Sequence, residues 1–325
     1  MKAFVTGATG FIGGNLAKHL RARGDSVAAL VRSPEKAGDL RDSGCELVEG
    51  DLADGGAIRA GLDGCDAVFH VGAVYRVGIR AAEHPAMYDA NVEGTKRVLD
   101  AAIDAGTARI VYVSTNGVLG NTHGQVVDES YERQPLDFLS YYEETKVLAH
   151  REAKSRIEAG APILIAQPGG VYGPGDTSQL GNFIDQVRKG RMPLKVFPES
   201  GFNFVHVDDA IEGILLVYDK GRLGETYILG GEIATVGRLI ELVARLSGRR
   251  PPRFTLPPVM AKLAIPFGPV LGPLFKLPPN MREGIRSAQG VTYWGTHEKA
   301  KRELGYSPRD LETGLRQTLD ALKAA

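Results

Sequence analysis

A chain of 325 residues with 39 basic and 39 acidic side chains, 43% apolar and 24% charged, has the balance of an ordinary globular protein. Its length suits one large domain or two moderate ones. Such neutrality offers no basic footprint for nucleic acid. MKAFVTG puts only three apolar residues between Lys2 and Thr6, far short of a signal-peptide core, so a cytoplasmic location is expected.

From Met1 to about Pro168 short apolar runs alternate with longer amphipathic segments, the rhythm of βαβ units on a parallel sheet. Strands are predicted over Lys2–Thr6, Ser26–Arg32, Glu46–Glu49, Ala67–Val71, Arg109–Ser114 and Pro162–Gln167. Most are continuously apolar, as strands covered on both faces should be. Helices are predicted over Phe11–Arg23, Met87–Ala105 and Leu136–Ala159, the first ending at Gly24 in a left-handed cap. Cys45 and Cys65 have no CxxC spacing and no His cluster beside them, so they read as buried thiols, and no metal site is expected.

Beyond Pro168 the rhythm breaks. Phe183–Lys189 reads as a helix, Phe204–Val207 as a strand and Asp208–Tyr218 as a helix with an acidic first turn. The expected organisation is a doubly wound α/β domain over residues 1–168 to which the chain returns at about 204–231. Residues 169–203 and 232–325 form a smaller substrate-binding region. Residues 251–279 are apolar and rich in proline, and Lys262, Lys276 and the prolines argue against an integral membrane span. A wall or lid over a substrate pocket, an oligomer contact and a surface that touches membrane all remain open for this segment.

TGATGFIGG, Thr6 to Gly14, sets Gly7-x-x-Gly10-x-x-Gly13 between a strand and a helix. Small residues there let a diphosphate approach the amides of a helix N-terminus, and Gly13 permits close packing of helix on strand. The second strand ends Val31–Arg32–Ser33, without the carboxylate that would accept ribose hydroxyls and repel a 2′-phosphate. Arg32 offers a guanidinium to that phosphate and Lys36 adds charge, so NADP(H) is preferred with NAD(H) as the alternative. Asp51, in Gly50–Asp51–Leu52, reads either as a partner of the adenine amino group or as a structural turn residue.

SYYEETK places Tyr142 and Lys146 four residues apart, on one face of a helix. A carbonyl that accepts hydride must be protonated, and a phenol of ordinary pKa about 10 needs help to exchange a proton near neutrality. Lys146 would stabilise phenolate. Thr115 would hydrogen-bond the substrate oxygen at the carboxyl edge of the sheet, with Ser114 as the fallback for that role.

In order, these residues and Asn91–Val92–Glu93–Gly94–Thr95, Val113–Ser114–Thr115, Val171–Tyr172–Gly173–Pro174 and His206–Val207–Asp208–Asp209 resemble the extended short-chain dehydrogenases/reductases. The resemblance covers residues 3 to about 231 and implies a Rossmann fold. It implies catalysis by Thr115, Tyr142 and Lys146, with Asn91 supporting the site. It further implies coenzyme contacts at Phe11, Ile12, Asp51, Leu52, Ala73 and Pro168, the last near the nicotinamide. A homodimer paired through the helices Met87–Ala105 and Leu136–Ala159 is implied in the same way. His70 and His206 read as core histidines.

Asn116 and Gly117 stand where dehydratases of that family carry Asp-Glu, which disfavours elimination. Gly170 and Phe202–Asn203 replace the Asn and Arg-Asp with which nucleotide-sugar epimerases serve a diphosphate. Val31–Arg32 and Pro168 instead resemble the branch of dihydroflavonol-type reductases and hydroxysteroid oxidoreductases, while the overall layout also resembles hopanoid-associated sugar epimerases. The leading expectation is an NADP(H)-dependent oxidoreductase acting on a carbonyl or secondary alcohol of a mainly apolar small molecule. The alternatives are an NAD-dependent nucleotide-sugar epimerase and a non-catalytic cofactor-binding protein.

Overall fold

The computed structural model describes residues 1–133, 137–263, 265–267 and 278–324. Its apolar runs pair into one sheet of seven strands: β1 (Lys2–Thr6), β2 (Ser26–Val31), β3 (Glu46–Glu49), β4 (Ala67–His70), β5 (Arg109–Val113), β6 (Ile163–Pro168) and, after two intervening strands, β9 (Thr226–Leu229). The order is β3-β2-β1-β4-β5-β6-β9 and every pairing is parallel, with Val5 opposite both Ala29 and Phe69. This is the doubly wound Rossmann arrangement, whose strand order reverses between β1 and β4 and opens a crevice beyond their carboxyl ends.

Both faces of the sheet are covered. On one side Val5, Ala29, Phe69 and Val111 pack under α1 (Phe11–Ala22) and a long helix Val207–Lys220 through Leu16, Leu20, Ile211 and Ile214. On the other, Phe4, Val68, Ile110 and Ile165 meet Ile58, Leu99 and Ala149. These last residues belong to α2 (Gly55–Leu62), α3 (Gly94–Asp104) and α4 (Tyr141–Glu158). Two-sided burial is why the strands read as unbroken apolar runs rather than alternations.

The strand expected at Phe204–Val207 is β8 (Gly201–His206), and it does not join the main sheet. It lies between β7 (Gly170–Tyr172) and β10 (Glu232–Thr235) in a sheet of three, so the strand that returns to the main sheet is β9. Leu239, Ile240 and Val243 of α5 (Val236–Leu246) and Leu315 and Leu319 of α6 (Leu311–Ala324) cover the small sheet. Of the proline-rich stretch 251–279, residues 264 and 268–277 lie outside the described residues. Among the described residues no helix is long and apolar enough to cross a membrane.

Two helix expectations need correction. Met87–Ala105 is not one helix: a short turn of helix, His84–Tyr88, runs into a π-helical turn, Asp89–Glu93, before α3 begins. The wider turn brings Asn91 inward, where its side chain binds Val74 on both sides, accepting from the amide at 2.7 Å and donating to the carbonyl at 3.1 Å. Leu136–Ala159 begins as helix only at Tyr141, because the Ser140 hydroxyl accepts the Glu143 amide and caps it there; residues 134–136 lie outside the described residues.

A line of buried hydrogen bonds ties β1 to α4. Gly72 N–H donates to Thr6 Oγ1, and that hydroxyl meets His70 Nδ1 at 2.7 Å; His70 Nε2 meets Thr95 Oγ1 at 3.0 Å, and Thr95 donates to the Asn91 carbonyl at 2.7 Å. Asn91 Nδ2 then donates to Thr145 Oγ1 at 3.0 Å, which donates to the Tyr142 carbonyl at 2.8 Å. Because Thr95 spends its proton on Asn91, it must accept from Nε2–H, leaving Nδ1 to accept from Thr6. The direction of every bond follows from a neutral His70, and burial holds its pKa down at about 3, with Lys146 adding repulsion.

An unfolded His70 protonates near 6.5 and the folded one near 3, so the unfolded chain binds more protons between those values. Stability present above about 6.5 should therefore be lost as pH falls, by up to ~1.4 kcal/mol per pH unit for this one group. Urea unfolding across that range should show a shallower slope for His70→Asn than for the natural chain. An unchanged slope would show that His70 carries none of the acid sensitivity.

Candidate active site

The turn between β1 and α1 is shaped by close backbone approach. Gly7 has φ +70°, and a Cβ on Gly13 would sit 2.3 Å from the Gly7 carbonyl oxygen, so neither position accepts a side chain without moving the turn. Gly10 caps α1 without any side-chain hydrogen bond, and the first turn holds no acid. In contrast Asp54 and Ser140 cap α2 and α4 with their side chains. The amides around Phe11, Ile12 and Gly13 thus face a crevice with the positive end of the helix dipole unanswered, which fits an incoming diphosphate.

Arg32 is exposed one residue beyond β2, and Lys36 is exposed on the 3-10 turn Pro34–Lys36 that follows. Among the described residues neither forms an ion pair. Asp51 is exposed at the end of β3, where its Oδ1 accepts the Ala53 amide at 2.8 Å, and Leu52 follows it half-buried. Ala73 is exposed just past β4, and Pro168 is buried at the end of β6. These positions line the carboxyl edge from β3 to β6, so the residues present fit a dinucleotide.

Tyr142 and Lys146 rise on α4 against the same edge. The Tyr142 phenol is held well above its ordinary pKa, first by burial and then by Tyr75 and Tyr112, while a hydrogen bond with Thr115 pulls the other way. Lys146 is buried; its Nζ donates to the Val113 carbonyl at 3.3 Å and lies 5.1 Å from the centre of the Tyr112 ring. With no carboxylate paired to it among the described residues, burial lowers its pKa to about 8. The ammonium is therefore still present at neutral pH and is lost as pH rises through that value.

Thr115 and Ser114 separate cleanly. Thr115 accepts the Gly117 amide at 3.1 Å and stays beside the phenol. The Ser114 hydroxyl instead meets His150 Nδ1 at 2.9 Å, on the side of β5 that faces α4. His206, expected in the core, is buried and caps the helix Val207–Lys220 by accepting the Asp208 amide at 3.3 Å.

Several side chains in this cleft carry no motif. Tyr75, in the loop that Asn91 holds, stands edge-on to Tyr142 with ring centres 4.8 Å apart. Tyr293 stacks on Phe202 at 5.5 Å, and its hydroxyl donates to Glu143 at 3.4 Å. Glu143 is itself buried and joined to Arg133 at 2.6 Å. Asn116 donates to Asn203 at 3.4 Å, and Asn203 grips both the amide and the carbonyl of Gly295. Buried Asn116 Oδ1 and Gln167 Nε2 find no partner among the described residues, leaving an acceptor and a donor at the ends of β5 and β6. Of these, Asn116, Phe202 and Asn203 carried a sequence signal, as departures from the dehydratase and epimerase patterns, and the others carried none.

A family model described as the NAD dependent epimerase/dehydratase family matches residues 3–230. The chain belongs to that family. It is 32% identical over 323 residues to a putative dihydroflavonol 4-reductase of Synechocystis, covering 96% of this chain and 92% of the relative. To a 4-hydroxy-2-methyl-3-oxo-4-farnesyl-3,4-dihydroquinoline-1-oxide ketoreductase of Stigmatella aurantiaca it is 33% identical over 331 residues, covering 100% and 96%. Among solved structures, DesIV of Streptomyces venezuelae, a dTDP-glucose 4,6-dehydratase with NAD bound, superposes with a TM-score of 0.80 at 27% identity, covering 99% of this chain and 97% of that one. The resemblance to extended short-chain dehydrogenases/reductases is thereby borne out, and the protein is an NAD(P)-dependent oxidoreductase of the epimerase/dehydratase family.

Within this family member, Asn91→Ala should leave the Val74 amide and carbonyl and the Thr145 hydroxyl without a shared partner. The expected loss is about 2–3 kcal/mol, read from the urea midpoint, with faster amide exchange concentrated at Val74. Natural stability in that variant would remove the π-turned Asn91 as the clasp between loop and helix.

Proposed function

We propose that this oxidoreductase is NADPH-dependent and reduces a carbonyl, or oxidises the matching secondary alcohol, on a mainly apolar small molecule. The observation that carries the reading is the juxtaposition at the sheet edge of a half-buried phenol, Tyr142, with the Thr115 hydroxyl, above a buried lysine that has no carboxylate partner among the described residues. The Gly10–Gly13 turn would hold the coenzyme diphosphate, Arg32 and Lys36 the 2′-phosphate, Lys146 the nicotinamide ribose, and Ala73 and Pro168 would flank the ring. When bound, the coenzyme supplies hydride to the carbonyl carbon, or takes it up in the reverse direction.

The residues of this chain manage the oxygen. Thr115 orients it by a hydrogen bond, and Tyr142 donates its proton as charge builds there. The Lys146 ammonium stabilises the phenolate left behind, which then regains a proton from solvent; without that ammonium the raised pKa of the phenol would hold back donation to the substrate oxygen. Asn91 acts through position, keeping Tyr75 and Tyr142 on facing walls.

Aromatic surface at Tyr75, Phe202 and Tyr293 favours an apolar substrate. A nucleotide-sugar reading has less support here: Phe202 occupies the position at which epimerases of this family carry an arginine for the diphosphate, and its ring is stacked on Tyr293. The farnesyl-bearing ketone in the name of the Stigmatella relative belongs to the same chemical class.

Two measurements test the proposal. Arg32→Ala should weaken NADPH binding more than about tenfold and leave NADH binding nearly unchanged, as loss of one charge-assisted phosphate contact requires. Equal losses for both coenzymes would overturn the NADP preference. Tyr142→Phe should abolish coenzyme oxidation with apolar ketones while coenzyme binding persists, and normal turnover in that variant would remove Tyr142 as the proton donor.

A further inference from the structure

Between Glu241 and Glu283 the chain carries no carboxylate, although Lys and Arg recur throughout that interval and the whole molecule is neutral. Described parts of this stretch combine positive charge with exposed apolar side chains. Lys195 donates from its amide to the Phe254 carbonyl and accepts the Leu256 amide, both at 2.8 Å. Leu256 is half-buried there and Phe254 is 72% exposed. In the helical turn Pro258–Leu263, Ala261 is buried, while Val259, Met260 and Leu263 are 61%, 55% and 67% exposed. Arg250, Arg253 and Lys262 are exposed beside them and form no ion pair among the described residues.

We infer that this face docks on an anionic lipid bilayer, with Phe254, Met260 and Leu263 entering the headgroup boundary and Arg250, Arg253 and Lys262 meeting lipid phosphates. The two components answer the two requirements of stable interfacial binding, apolar insertion and attraction to negative surface charge. A protein partner would not require so long an interval of sequence without a carboxylate, whereas an anionic surface penalises each one.

The position of the face has a use. The turn Pro258–Leu263 packs against the helix Met281–Arg286, whose Glu283 accepts the Gly78 amide at 3.2 Å and the Tyr141 amide at 3.1 Å. Gly78 lies in the loop that carries Tyr75, and Tyr141 precedes Tyr142. A bilayer-resident apolar molecule would thus meet the protein beside the cleft mouth. That last step rests on the proposed apolar substrate; docking itself does not.

The test is cosedimentation of the full chain with vesicles of phosphatidylcholine alone and of phosphatidylcholine mixed with phosphatidylglycerol, without substrate or coenzyme. Binding is expected only to the mixed vesicles, falling more than about tenfold when salt is raised from about 0.05 to about 0.5 M. Phe254→Ser/Met260→Ser/Leu263→Ser and, separately, Arg250→Glu/Arg253→Glu should each lower it more than about tenfold. NADPH binding and the melting temperature should be unchanged in both. Equal binding to neutral and mixed vesicles, or none to either, overturns the proposal. So does a natural chain whose self-association, rather than vesicle binding, is what the apolar substitutions abolish. Ketone turnover in detergent-free buffer reads the reductase proposal separately.

Discussion

A neutral histidine sets the direction of the hydrogen bonds at the centre of this protein. His70 accepts from Thr6 and donates to Thr95, and from there the bonds run through Asn91 and Thr145 to the backbone of Tyr142. Each member has one role that its neighbours dictate, and none is left unpaired, which is the condition under which buried polar groups stiffen a core instead of weakening it. The chain connects the strand that ends at the glycine turn with the helix that carries the phenol. Two halves of one site therefore keep a fixed separation although residues 6 and 142 are far apart in sequence.

That rigidity is matched to electrostatic need. Among the described residues Lys146 is buried without a counter-charge, the helix after the glycines begins without a side-chain cap, and Arg32 and Lys36 form no ion pair. Each is a local deficit of negative charge, and all lie along the carboxyl edge of the sheet. A dinucleotide coenzyme is an anion, and groups without negative partners along that edge suit one.

The sequence made six of the seven strands of the main sheet and the glycine turn readable because both rest on local rules: unbroken apolar runs for strands with two covered faces, and small residues where backbones nearly touch. The break at Asn91 was not readable, since the residues around it have ordinary helical character and the wider turn exists only because Val74 and Thr145 offer partners from elsewhere. The sequence favours Thr115, with Ser114 as the fallback; what separates them in the fold is the alternation of a strand, which sends Ser114 toward His150. β8 looked like a returning strand because its pattern is that of any buried strand, and pairing is a long-range property. Tyr75, Arg133 and Tyr293 carry no spacing rule at all and become visible only as neighbours.

The wall opposite the phenol is made of late arrivals. Thr122 meets Thr292 across 170 residues of chain, and Glu143 meets Tyr293 across 150. Contacts of such span close slowly, because a long loop must be ordered before they return anything. During synthesis the glycine turn, the phenol and the lysine have all left the ribosome well before Tyr293 exists. Residues of that wall are therefore the last part of the cleft to become available to the folding chain.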